Sequence, residues 1–207
     1  MYAQNKDTQS KMTAKTALDT LMAGNGRFLE DKRSDHKLLD QVKETGGGQY
    51  PFAAVLSCID SRVPVEVIFD QGIGDIFSAR VAGNFINTDI LGSLEYSCKV
   101  AGSKLVMVLG HTGCGAVKGA CDNVELGNIT SMLGKIMPAV ENVKTADGEK
   151  RDSSNATFVN NVVEENVHLA IKNIHKDSPV LKEMEENGEI EIVGAVYDVK
   201  SGKVSLL

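Results

Sequence analysis

Two short motifs carry the residue types that could do chemistry. Cys58-Ile59-Asp60-Ser61-Arg62 sets a thiol, a carboxylate and a guanidinium on alternate residues, and His111-Thr112-Gly113-Cys114 sets an imidazole and a second thiol on one tight turn. Thiolate and imidazole are the ligands zinc prefers. Two cysteines and a histidine fill three tetrahedral positions and leave the fourth open, the arrangement of a catalytic rather than a purely structural zinc. Gly113 and Gly115 let the backbone approach a metal without steric cost.

Taken singly, each residue has a plainer reading. Cysteine is commonly a small buried hydrophobe, and a lone histidine is usually an ordinary loop residue. The metal reading gains its force from the company: two Cys, one His, Asp60 and Arg62 at the ends of two expected strands. Cys98 and Cys121 have no such company, so a helix face and a helix end are expected to bury them as packing.

Short apolar runs must position the motifs. Residues 52–57 have the length and composition of a buried strand ending at Cys58, and 104–109 form the clearest strand, ending at Gly110-His111. Strands are also expected over 76–81 and 190–197, the latter turning through Lys200-Ser201-Gly202-Lys203 into residues 204–207. Helical spacing predicts a helix opening near Pro64 and others over 88–100, 116–121, 129–143, 156–175 and 180–187. This alternation predicts an α/β fold: a central, mostly parallel sheet flanked by helices, with a C-terminal edge hairpin. If the first and third strands are neighbours, the two motifs meet where α/β sheets bind ligands.

Upstream, Thr13 can cap a helix carrying Leu18, Leu21, Met22 and Phe28, and a shorter helix over 37–43 ends at Gly46-Gly47-Gly48. A single domain is expected, with an N-terminal helical arm over 1–48 and a zinc-binding core over 49–207. The arm's apolar stripe has two equal readings: packed on its own sheet, or laid across a neighbouring subunit.

Composition excludes several classes. The 207 residues suit one domain, and the 22 basic residues are scattered among 28 acidic ones at net charge −6, so neither nucleic acid nor an anionic membrane is expected as a partner. No apolar run approaches the roughly 18 residues of a membrane helix. Four cysteines are too few for a disulfide scaffold. Residues 1–11 are polar, so a soluble, cytoplasmic protein is expected for the sequence as it stands; a signal peptide removed upstream would leave the same trace and place it in the periplasm. Gly113-x-Gly115-x-x-x-Gly119 resembles a dinucleotide loop but lies outside the first βαβ unit, and the signatures of zinc deaminases are missing.

Cys58-x-Asp60-x-Arg62 followed by His111-x-x-Cys114-Gly115 resembles the signature of the β-class carbonic anhydrases. Ser57 to Pro64, Gly72 to Asn84, Leu94-Glu95-Tyr96, Gly110 to Val117 and Gly194 to Asp198 fall in the family's order, so about three quarters of the chain is covered. The resemblance implies one Zn²⁺ per subunit on Cys58, His111 and Cys114, and reversible hydration of carbon dioxide to bicarbonate by hydroxide on the zinc. It also implies a homodimer, sometimes paired into a homotetramer, whose partner the N-terminal helix embraces.

In one branch of the family the counterpart of Asp60 occupies the fourth zinc position in a closed, inactive state, and a Trp stands three residues before the first Cys. Here Val55 stands there, while Gln49, Phe77 and Tyr96 match the pocket of the plant-like, open-site branch; Ala82 replaces that pocket's Val. Asp60 and Arg62 are therefore expected as catalytic residues, with Gln49, Phe77, Ala82 and Tyr96 binding substrate. The rivals are hydrolysis of carbon disulfide or carbonyl sulfide on the same fold, and a non-enzymatic zinc-stabilised oligomer.

Overall fold

The structure, a computed structural model, describes residues 3–207. Five strands form one sheet in the order β2-β1-β3-β4-β5: β1 (Ala53–Ser57), β2 (Ile76–Arg80), β3 (Leu105–His111), β4 (Glu191–Tyr197) and β5 (Val204–Leu206). The first four are parallel, and β5 runs antiparallel to β4 to close the C-terminal hairpin. β1 and β3 are continuously buried, as expected of parallel strands covered on both faces.

The period-two alternation of the strands divides the core. Ala53 and Val55 of β1, with Leu105, Met107 and Leu109 of β3, face one side, where Ala17 and Leu21 of α2 (Ala14–Leu29) and Val65 and Ile68 of α4 (Val65–Ile68) cover them. Ala54, Leu56, Val106 and Val108 face the other. There they meet Leu91 and Leu94 of α5 (Thr88–Glu95), Val167, Ala170 and Ile174 of α9 (Ala156–Asp177), and α10 (Pro179–Glu186). A third cluster gathers α6 (Gly115–Cys121), α7 (Gly127–Leu133), α8 (Met137–Asn142) and the first half of α9 around Cys58 and Cys114. Cys98 and Cys121 are buried packing residues, as expected.

Several elements differ from expectation. A short α1 (Lys6–Ser10) precedes α2: it has no buried residue and is made by the Asn5–Thr8 capping box, so no apolar pattern announces it. The helix expected over 129–143 is two, because the chain turns through Gly134 to Ile136 before α8 restarts with Pro138 in its first turn. The helix expected over 88–100 leaves α-geometry at Tyr96 and finishes as a π-helical turn, Tyr96–Val100.

The arm also requires a correction. The α2 stripe expected to embrace a partner lies on the chain's own sheet, with Ala17 and Leu21 wholly buried, because the face opposite α9 would otherwise be bare. It is α3 (Leu38–Thr45) that keeps Leu38, Leu39 and Val42 exposed.

Candidate metal centre

The chain leaves β1 for its neighbour β2, then crosses over β1 to form β3 on the other side. The β1/β3 gap is therefore the switch point of the sheet, and ligands of open α/β sheets bind beyond the carboxyl ends of strands there. Cys58 follows the last residue of β1, and Ser57 pairs with Leu109, two residues before His111. Register alone thus brings the two motifs together.

The Sγ atoms of Cys58 and Cys114 are 3.9 Å apart, and these two with a nitrogen of His111 all lie within 4.8 Å of one another. Two Zn–S bonds of about 2.3 Å at a tetrahedral angle would separate their sulfurs by about 3.8 Å. All three residues are buried. The Nδ1–H of His111 donates to the Thr112 carbonyl at 3.1 Å, which leaves a lone pair on Nε2. That Nε2 is buried and has no hydrogen-bond partner. An orphaned acceptor beside two converging thiols fits a metal ion.

Electrostatics agree. The Cys114 thiol hydrogen-bonds to Cys58 and, with help from His111 and the Gly83 and Asp60 backbone, overcomes burial to hold Cys58 well below an ordinary thiol; that same contact, with burial, raises Cys114. The pair is already disposed to lose one proton.

Asp60 stands at the rim, with Oδ2 3.8 Å from His111 Nε2, and outside the three-donor group. Arg62 engages both its oxygens: Nε donates to Oδ1 at 2.9 Å and Nη2 to Oδ2 at 2.7 Å, while the Arg62 backbone N–H also reaches Oδ1. This bidentate pair keeps the carboxyl well below the usual carboxylate range. Arg80 braces the loop by donating to the carbonyls of Cys58 (2.9 Å) and Asp60 (2.7 Å). A cleft of about 480 Å³ opens alongside, lined by Arg62, Thr112, Gly113, Lys118 and Lys200 among others.

The substrate-binding candidates sit apart. Ala82 is in the turn beside Cys58, next to Gly83, whose N–H donates to Cys58 Sγ at 3.3 Å. Phe77 and Tyr96 meet edge to face at 6.1 Å and line another cleft, of about 720 Å³. Phe77 pairs with Ala54, near the amino end of β1, and Gln49 is exposed upstream of that same end. Within one chain, Gln49 and Phe77 are not brought to the metal donors.

The sequence model of the carbonic anhydrase family matches residues 53–204, which hold the four parallel strands and every residue of this cluster. The chain belongs to the β-class carbonic anhydrases. These enzymes are lyases that hydrate carbon dioxide. The chain is 33% identical to carbonic anhydrase 2 of Mycobacterium tuberculosis over 92% of its own length and 91% of that protein. Among solved structures it is similar to the β-carbonic anhydrase CafA of Aspergillus fumigatus (26% identity, TM-score 0.69, covering 93% and 89% of the two chains). It shares its fold with tetrameric β-carbonic anhydrases of Sordaria macrospora (23% identity, TM-score 0.69, covering 93% and 97%).

Sequence reasoning missed Arg80, Gly83 and Asn166 as supports of the site. Their contributions run through backbone groups or across 83 positions of chain, as in the hydrogen bond from Asn166 to the Gly83 carbonyl. No local motif marks that kind of contact.

Proposed function

We propose that the chain catalyses reversible hydration of carbon dioxide to bicarbonate and a proton, with zinc held by Cys58, His111 and Cys114, in the open-site manner of the plant-like branch. The observation that carries this reading is the Asp60–Arg62 pair, which occupies both carboxylate oxygens and keeps them out of the donor set. When bound, zinc supplies the Lewis acidity that makes a nucleophile of water near neutral pH. Asp60, kept ionised by Arg62, can accept a hydrogen bond from the attacking water and aim its lone pair at the carbon. The cationic lining of Arg62, Lys118 and Lys200 suits departure of an anionic product.

A homodimer, singly or as half of a tetramer, completes the site in this reading. Gln49 and the Phe77–Tyr96 cleft lie away from their own chain's donors and at the surface, where a second copy can bring them to the metal. Gln49 would then donate its amide to a substrate oxygen, while Phe77, Ala82 and Tyr96 form an apolar lining for a nonpolar gas.

The test is stopped-flow hydration of carbon dioxide by the zinc-loaded protein from pH 6 to 9, beside sulfide release from carbonyl sulfide and carbon disulfide. Hydration should dominate and rise with pH. Because Asp60 is already ionised far below this range, it contributes no titration there, and the rise reports the nucleophile. A rate flat down to pH 6, or sulfide release alone, would contradict the reading.

A further inference from the structure

Asn166 lies on α9, is 2% exposed, and is not one of the three candidate metal donors. Its Nδ2 donates to the Gly83 carbonyl at 2.8 Å. Gly83 in turn donates its N–H to Cys58 Sγ at 3.3 Å. We propose that Asn166 is a positioning residue of the metal centre: it fixes the 83–84 peptide and with it the backbone of Gly83, whose N–H, on the preceding peptide, then stays on the Cys58 sulfur.

The turn that carries Gly83 explains the need for an anchor. The Asn84 N–H closes it onto the Val81 carbonyl at 2.9 Å, and Gly83 has φ +81°, the left-handed value a type II turn requires at its third residue. A Cβ at Gly83 would stand 2.4 Å from Ile136 Cδ1, which would have to shift, and φ +81° would strain a side-chain-bearing residue there in any case. Glycine supplies the conformation but no rigidity. The hydrogen bond from Asn166 ties this corner to a long helix; a buried carbonyl left without it would rotate the 83–84 peptide in search of another donor, loosening the Gly83 backbone and with it the hold of the Gly83 N–H on the sulfur.

A hydrogen bond to a ligating thiolate draws charge from the sulfur, orients it and leaves more positive charge on the metal. Asn166 thereby acts on the zinc from outside its ligand set.

The inference rests on the metal reading of the site, so its test is read by metal binding and spectroscopy, not turnover. In the unaltered protein loaded with NMR-active cadmium, the Gly83 amide proton should show scalar coupling to the metal through Cys58 Sγ. In Asn166→Ser, that coupling should fall, zinc affinity should drop about tenfold, and the thiolate-to-metal charge-transfer band of the cobalt form should shift. Ile174→Ala, a fully buried change on the same helix about two turns beyond Asn166 and in the core cluster that holds neither Cys58 nor Cys114, should lower Tm and leave all three unmoved. No Gly83–cadmium coupling in the unaltered protein would overturn the proposal without reference to any variant. So would Asn166→Ser with unchanged affinity and band, or Ile174→Ala shifting them equally; no metal binding at all would overturn the metal reading with it.

Discussion

At the scale of single residues, the chemistry turns on which partner Asp60 chooses. Its Oδ2 lies 3.8 Å from His111 Nε2, near enough for the two to bind one metal, but Arg62 holds both oxygens. A paired carboxylate with a lowered pKa is the sign of a group kept ionised for orientation. Asp60→Asn should therefore keep its zinc, because Cys58, His111 and Cys114 are untouched, while kcat for hydration falls about 100-fold or more. Elemental analysis alongside stopped flow checks both halves, and loss of zinc would make Asp60 a ligand. Arg62→Gln tests the pair from the other side. Without the guanidinium, the Asp60 carboxyl should return toward about 4, free to reach the metal, and kcat should fall at least tenfold. Unchanged turnover would show the pair to be idle.

At the scale of elements, a buried carboxylate gathers several residues of the arm. Asp70, in the turn after α4, accepts from Arg27 Nε (2.5 Å), from the Ser34 backbone and hydroxyl, and from His36 (3.0 Å), and its side chain is 1% exposed. Burial pushes its proton affinity up, but Arg27, Ser34 and His36 outweigh that and bring the pKa down to about 2. A lowered folded-state pKa gives stability that is present above the unfolded value of about 4 and is lost as pH falls through about 2. Hydrogen-exchange protection over residues 27–36, relative to the unfolded chain, should accordingly fall between pH 4 and 2. Asp70→Asn strands Arg27 and should cost about 3 kcal/mol, seen calorimetrically as roughly 6–12 °C in Tm; an unchanged Tm would show the fastening to be incidental. None of this hub was legible in the sequence, since Arg27, Ser34, His36 and Asp70 share no motif. The strands were legible because buried parallel strands read as unbroken apolar runs, as at residues 104–109. The metal donors were legible because a Cys-x-Asp-x-Arg and a His-x-x-Cys at strand ends have few other uses. The supports of Cys58 were hidden because a glycine amide and a distant asparagine act through backbone geometry.

At the scale of the whole molecule, the surface is unfinished for a chain acting alone. Leu38, Leu39 and Val42 of α3 are 53%, 78% and 49% exposed, Ile59 beside the metal loop is 61% exposed, and Tyr96 of the pocket is half exposed. A self-associating protein covers such surface. Sedimentation should give two or four times the mass of the chain. Leu39→Glu should weaken that association about tenfold or more, with hydration falling at low protein concentration while zinc stays bound; a fully active monomer would refute the two-subunit site. Among the described residues, no helix is long and apolar enough to cross a membrane. The most direct measurement of the central claim is a zinc titration of chelator-stripped protein, following carbon dioxide hydration and bound zinc together. Hydration should vanish on stripping and return in proportion to zinc, saturating at one ion per chain; full zinc occupancy with hydration no faster than the uncatalysed reaction would contradict it.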